Sequence, residues 1–532
     1  MKNIILSMLT LLAISSCKDF LNPKQVNLVY NDVFWQNEKD AVTAVLGVYA
    51  LYRGAMVNAQ MYERGDVTTG FFRRGHNGGS SDRLYLPGNF VNVSDVNKSW
   101  GSLESLADWS SFYKVIAMTN LTISRIAAMN DNLFSSGNKS KLLGEVYFLR
   151  ALTYYHIATI WGNAPLILES IESSNQVIDQ DGNLKNVPRS SDIAIMETAL
   201  KDVNEAVQRL EYGSKANFEG GVRAAKGSAQ ALSGYANLWM AFLQQRNGQA
   251  NAQYIANAVK SLEDAVTHGP YSLAPYTDAR AIAALYKGGS SEAVFELNIS
   301  ANANESYRID KGGIQSLTCK VPPLDGDATK DRSSSINWIP ASKKRFIYPN
   351  YPADRRADLF FGAWSSTYDE PFSDVSAVST DRRNVTWLKK FAAFVEDPNA
   401  QKNEYIAYFA DCNIPIFRFT DVKLLLAEAY IKNGQAGMAT AIINEIRTRA
   451  GLTAPYTGDN PLAEVMQQRT SELIGEGKLF FDYVRNNYFQ NVPVMEAERY
   501  RQQGYYWPVS SAILTSNKLV QQTPYWNGRT TW

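Results

Sequence analysis

Apolar residues recur at three-and-four spacing over Phe34–Tyr52, Ser110–Met129, Lys141–Ile160, Asp192–Leu210, Val222–Gln245 and Tyr254–Val266. That period predicts helices with one buried stripe each, and glycine and proline punctuate the gaps. A further pair, Thr420–Ile431 and Ala436–Ala450, is joined by Lys432-Asn433-Gly434-Gln435. Within it Ala427, Tyr430, Gly434, Ala439 and Ile443 fall at the offsets of a tetratricopeptide unit. Small residues there let two antiparallel helices approach, and the tyrosine fills the groove between them. The pattern predicts a mainly α chain, an irregular tetratricopeptide-like α–α superhelix. An ordinary helical hairpin is the competing reading of the pair.

Between about Gly269 and Pro415 the helical period fades. Gly288-Gly289, Gly312-Gly313 and Pro322-Pro323 mark turns, and Trp338, Tyr348, Tyr351, Trp364 and Tyr368 stand among polar residues. A loop-rich insertion of this length, carrying little strand, is usually functional in a helical protein. The stretch Tyr62–Trp100 has the same character. The expected organisation is a signal segment at 1–16, an N-terminal helical region at 17–268 and a C-terminal region at 269–532. The last divides into the insertion (269–415) and a helical part (416–532).

Composition narrows the function. The 532 residues are 45% hydrophobic and 20% charged, which is globular, and 53 Lys+Arg against 52 Asp+Glu leave a net charge of +1. Near-neutrality argues against nucleic acid as a partner. Three cysteines exclude a disulfide-stapled or cysteine-rich metal protein. Aromatic residues reach 12% while histidines number 3, a balance suited to a binder with no cofactor. Lys2, the apolar run Ile4–Ile14, Ser15, Ser16 and Cys17 read as an export signal too short to span a bilayer. A cysteine directly after small residues resembles a bacterial lipoprotein box, with Cys17 acylated. Cys319 and Cys412 are expected to be separate thiols.

Six ordered motifs then carry a resemblance. Cys17-Lys18-Asp19-Phe20-Leu21 looks like a mature lipoprotein start, and Trp109, Tyr113, Ile116 and Asn120 like an early helix signature. Gly144-Glu145 with Phe148-Leu149-Arg150-Ala151-Leu152 and Tyr154-Tyr155 is followed by Trp161-Gly162-Asn163-Ala164-Pro165-Leu166. Arg418, Leu424-Leu425-Leu426-Ala427-Glu428-Ala429, Ile446-Arg447 and Arg449-Ala450-Gly451-Leu452 come later. Arg469, Glu472-Leu473, Glu476-Gly477, Phe481-Asp482 and Arg485 precede Trp507-Pro508 and the segment from Asn517 to Pro524. Together these resemble the SusD/RagB family of Bacteroidetes outer-membrane nutrient-binding lipoproteins over nearly the whole chain. Asp421, Gln468 and Lys478 depart from its pattern, mildly in each case. Glu145, Arg150, Glu472, Glu476, Asp482 and Arg485 are read as scaffold ion pairs.

The resemblance implies a lipid-anchored receptor at the outer membrane, its body facing the cell exterior. It implies capture of an oligosaccharide and delivery to a partner SusC-like TonB-dependent transporter, with peptide as the alternative ligand. It also implies a platform built from the loops before the Trp109 helix and from the middle insertion. A pyranose offers an apolar C–H face to an exposed ring and hydroxyls to polar rim residues, each stack contributing about 0.5–1.5 kcal/mol. Residue type and loop position select Tyr85, Trp100, Tyr307, Trp338 and Trp364 as rings, with Arg74, Arg308 and Asn337 as polar partners. Trp109 and Trp161 are expected in the core, and Tyr62 and Phe72 fit either role. A secreted glycoside hydrolase, needing only two carboxylates, is the rival from another class. No G-x-S-x-G, H-E-x-x-H, C-x-x-C, P-loop or G-x-G-x-x-G motif is present. Asp179-Gln180-Asp181-Gly182-Asn183 lacks the length and terminal glutamate of a calcium loop and reads as a polar turn.

Overall fold

Helices form where the apolar stripes run, and each packs on its neighbour in sequence. The computed structural model describes residues 34–57, 60–69, 71–74, 106–172, 185–213, 219–299, 338–340, 344–362, 387–391, 393–396, 408–490 and 495–529. Helix α1 (Glu38–Val57) leads through the short α2 (Gln60–Gly65) into strand β1 (Phe72–Arg74). Next come α3 (Ser110–Ala128) and α4 (Asn138–Trp161), then β2 (Ala164–Pro165), β3 (Arg189–Ser190) and α5 (Asp192–Arg209). α6 (Lys226–Arg246), α7 (Ala252–His268) and α8 (Ala279–Lys287) follow. After the strands described below, α9 (Arg356–Phe360), α10 (Phe419–Lys432), α11 (Ala436–Arg449), α12 (Pro461–Leu473) and α13 (Leu479–Asn486) complete the main helices.

α3 packs on α1 and α4, α4 on α5, α5 on α6, α6 on α7, α7 on α10, and α10 on α11 and α12. This succession is the α–α solenoid that the periodicity predicts. Local chemistry sets its boundaries. Ser191 caps α5 by accepting from the Ala194 N–H at 3.2 Å. The turn between α10 and α11 passes through Gly434 at φ 77°, a conformation glycine adopts without penalty. α6 is buried on nearly every side, as the central helix of a stack must be. A Cβ on its Gly234 would lie 2.4 Å from Leu262 on α7, so the missing side chain is what lets these two helices close. Trp109 and Trp161 lie in the core, edge to face at 5.9 Å, and Tyr62 joins them there.

The insertion contributes more to the body than its faded period suggests. α8 is amphipathic, and β4 (Ala293–Leu297) is buried along its whole length. β4 pairs antiparallel with β10 (Ile414–Arg418), setting Ile414 opposite Leu297 and Arg418 opposite Ala293 across a bulge. A strand buried on both faces does not alternate polar with apolar, so it carries no period-two signal. Among the described residues, short strands between them include β5 (Trp338–Pro340), β6 (Phe361–Gly362), β7 (Trp387–Leu388) and β8 (Phe394–Glu396). β9 (Tyr408–Ala410) pairs with β8. Among the described residues, no helix is long and apolar enough to cross a membrane. Cys17, Cys319 and residues 179–183 lie outside the described residues, and the Cys412 thiol is buried, donating to the Phe391 carbonyl at 3.4 Å.

Candidate functional site

Two features deserve separation: a lattice of buried charges in the body, and a patch of short strands beside it. The lattice centres on Arg418 at the end of β10. Its guanidinium reaches Glu292 at 3.0 Å, Glu472 at 3.1 Å and Glu476 at 2.9 Å. Arg449 adds a 3.0 Å contact to Glu472, Arg356 one at 3.2 Å, and Lys390 meets Glu476 at 2.8 Å. Burial alone would raise the Glu472 carboxyl, but Arg449, Arg418 and Arg356 outweigh it and hold that group far below the usual range. A second set joins Arg469 to Asp482 and Asp421, and Arg485 to Glu428 and Asp482. Glu428 is opposed by burial but held at about 2 by Arg485. Glu145 pairs with Arg223 at 2.6 Å, and Arg150 with Asp202 at 2.7 Å. All six residues read as scaffold from the sequence are therefore buried ion-pair members.

This arrangement bears on the hydrolase reading. A glycosidase acid must reach a glycosidic oxygen, and its partner must face the sugar from the other side. Glu292, Glu472 and Glu476 instead point their oxygens at arginines and Lys390, at most 8% exposed. His156 is equally withdrawn: it shares a 3.0 Å hydrogen bond with Tyr52, and burial pushes its pKa down to about 3. Beside it lies a cavity of about 80 Å³ walled by Met56, Tyr155, Tyr235, Phe417 and Phe481.

The strand patch carries the two predicted ligand residues whose backbone is described, Arg74 and Trp338. β1 and β5 pair antiparallel with Phe72 opposite Pro340, Arg73 opposite Ile339 and Arg74 opposite Trp338. β6 and β7 pair with Phe361 opposite Leu388 and Gly362 opposite Trp387, and β5 lies against β7. Arg74 and Trp338, separated by most of the N-terminal half in sequence, thus become direct cross-strand partners. In sequence, Arg74 is followed by residues 75–105, Trp338 is preceded by 300–337, and 363–386 lie between Gly362 and Trp387; these three segments are outside the described residues. Tyr85, Trp100, Tyr307, Arg308, Asn337 and Trp364 belong to those three segments and lie outside the described residues, as does Phe72's side chain.

The patch stands on the lattice. Phe361 and Leu388 are fully buried, and Leu388 closes on Gly475, whose missing Cβ would lie 2.5 Å from it. Lys390, two residues beyond β7, is the buried lysine bound to Glu476. On the other side, Phe71 packs edge-on against Tyr483 at 6.3 Å, and Asp66 accepts from the Gly477 N–H just before β1. A Cβ on Gly65 would meet the Gly477 carbonyl oxygen at 1.9 Å, so the two glycines let backbone touch backbone there.

The fold is that of a helical solenoid with a patch of short strands, and known proteins share it. The model described as "SusD family" matches residues 367–526, and that described as "Starch-binding associating with outer membrane" matches 81–235. The chain belongs to the SusD/RagB family. It is similar to SusD-like protein P38 of Formosa agariphila, 24% identical over 98% of this chain and 99% of that one. A solved SusD homolog from Bacteroides thetaiotaomicron superposes with TM-score 0.73 at 21% identity, covering 93% of this chain and 99% of that one. NanU of Bacteroides fragilis does so at 0.68 and 20% identity, covering 95% and 100%. Members of the family are binding proteins associated with the outer membrane, and membership supports a glycan-binding role in nutrient uptake.

Proposed function

We propose that this chain captures an oligosaccharide at the cell surface, leaves it chemically unaltered, and delivers it to a partner SusC-like TonB-dependent transporter. In this reading Cys17 carries the lipid anchor, and the body faces the cell exterior. The observation that supports it most is the register that sets Arg74 across from Trp338. An indole and a guanidinium on one ladder supply a face for pyranose C–H groups and donors for its hydroxyls. Tyr85, Trp100, Tyr307, Arg308, Asn337 and Trp364 complete the platform from the three loops. Few stacks and exposed hydrogen bonds give about −4 to −8 kcal/mol, millimolar to micromolar, which suits cargo that must be released.

The test uses purified full-length chain in detergent against maltoheptaose, laminarihexaose, xylohexaose, mannohexaose and a peptide library. Maltoheptaose is included because one matching family model is described as starch-binding. Saturable binding of a sugar without new reducing ends is the expected result. Binding of peptides alone replaces the ligand class, and release of reducing ends replaces the receptor with a hydrolase. In cells, Cys17→Ala should move the chain out of the membrane fraction.

A further inference from the structure

The cavity beside His156 is walled by both halves of the chain. Met56 of α1, Met61 of α2, and Tyr155 and His156 of α4, together with Phe417 of β10 and Phe481 of α13, line a space of about 80 Å³. The charged members of its wall have partners elsewhere. Glu476 is held by Arg418 and Lys390, Asp482 accepts from Arg469, and Lys478 donates to the Ile416 carbonyl. Two polar groups differ. The Tyr155 hydroxyl, on a residue only 6% exposed, meets no hydrogen-bond partner among the described residues. His156 shares its Nε2 with Tyr52 at 3.0 Å, which leaves Nδ1, and its ring adjoins that of Tyr155 at 5.6 Å. Of the wall residues, Met61, Ile414 and Lys478 are half-buried and the rest buried, so the cavity meets the surface on their side.

We propose that this cavity is a binding site for a small neutral alcohol, its hydroxyl on Tyr155 and His156 and its carbon chain against Met56, Met61, Phe417 and Phe481. Each part of that class follows from the wall. Apolar walls stabilise carbon roughly in proportion to the area taken out of water. A charged ligand would lose its hydration where the fixed charges are already paired, with nothing to offset the loss. A hydroxyl both donates and accepts, so one group serves a phenol O–H and an imidazole nitrogen together. An apolar cavity of about 150 Å³ accepts benzene, and about half that space suits a chain of roughly three carbons. The occupant touches α1, α2 and α4 on one side of the chain's midpoint and β10 and α13 on the other, so it binds only where those elements are packed together. The site is independent of the receptor reading above.

The experiment titrates the full-length chain in detergent, labelled with carbon-13 at the methionine methyls, with 1-propanol and separately with xenon, an apolar probe of such cavities. Met56→Leu and Met61→Leu assign the two wall resonances. Both should shift saturably with 1-propanol, with one dissociation constant of about 0.1–10 mM. The resonance of Met438, which is 54% exposed, should not saturate. Tyr155→Phe keeps the ring and removes the hydroxyl, and should weaken 1-propanol about two- to tenfold while leaving xenon unchanged. A second comparison needs no variant: methoxyethane, an isomer of 1-propanol that accepts but cannot donate, should bind wild type more weakly by a similar factor. Equal binding of the two isomers, or an alcohol affinity that Tyr155→Phe does not alter, overturns the alcohol as ligand. Wall resonances that fail to saturate with either probe overturn the site.

Discussion

Arg418 holds Glu472 in a contact of 3.1 Å that neither group shares with water, since both side chains are at most 2% exposed. Glu472 simultaneously accepts from Arg449, Arg356 and the Tyr276 hydroxyl. Taking charges out of water costs several kcal/mol each, so the lattice is stable only as a closed set. Glu472→Gln leaves three buried guanidiniums short of one negative charge. The expected cost is about 3–5 kcal/mol, read from urea unfolding with an unchanged denaturant slope. Replacing Glu498, an exposed acid paired with Arg501, should change stability by less than 1 kcal/mol in the same assay.

His156 gives a pH signature. Its folded pKa is about 3, set by burial and then by the nearby Arg64 and Lys478 charges, against about 6.5 unfolded. Between those values the unfolded chain binds a proton that the folded chain refuses. Its contribution to stability is therefore complete above pH 6.5 and is lost as pH falls towards 3. His156→Gln removes the titration and keeps a partner for Tyr52. The stability advantage of wild type over this variant should shrink by about 1.4 kcal/mol per pH unit between pH 6 and 4.

Asp66 runs the other way. It is fully buried, Oδ2 accepts from Gly477, and Oδ1 has no partner among the described residues. Burial raises its pKa to about 8, against the lowering pull of the Gly477 N–H and Lys390, with Glu476 adding to the rise. The folded state thus holds a proton that the unfolded state gives up above about pH 4. Stability from this group is complete below the unfolded value and is lost as pH rises to 8. Asp66→Asn is neutral at every pH, so its stability relative to wild type should climb from pH 5 to 8 and then level off. Urea titrations at pH 5, 6, 7, 8 and 9 give the curve, and a flat difference would falsify the assignment.

How much of this was legible beforehand depends on what each residue needs from its neighbours. α3 and α5 were readable nearly to the residue because Ser110–Ala128 and Asp192–Arg209 each bury one stripe, a pattern local to the helix. β4 was not, since Ala293–Leu297 is buried throughout and its one charged residue, Glu296, accepts from the distant Asn413 as well as from the nearby Gly289 N–H. The departures from the family pattern also acquire a reason only in three dimensions. Lys478 and Asp421 are partners in one ion pair, so two mild substitutions meet at a single contact. Gln468 accepts from Arg356 and donates to Glu464, which a glutamate could not do while charged. Of the candidate site, the described residues include only the backbone of Arg74 and Trp338. Residue type and loop position selected Arg74 and Trp338, but only the ladder register, a long-range property, shows that they are neighbours.

That register yields the most direct test of the platform. A cross-strand pair can exist purely for the sheet, in which case its contribution is about 0.2–1 kcal/mol of stability and nothing else. A pair that grips a ligand behaves differently, because truncating either partner removes contacts made only in the complex. Trp338→Ala and Arg74→Ala should each weaken oligosaccharide binding by about 1–3 kcal/mol, as should Trp100→Ala, with melting temperatures close to wild type. The double variant Arg74→Ala/Trp338→Ala should lose less than the sum of the two, since both residues address the same sugar and the first loss already loosens it. Isothermal titration of the four proteins gives that coupling directly. Additive losses in affinity would place the two residues on separate subsites, and losses confined to thermal stability would leave them as sheet neighbours only.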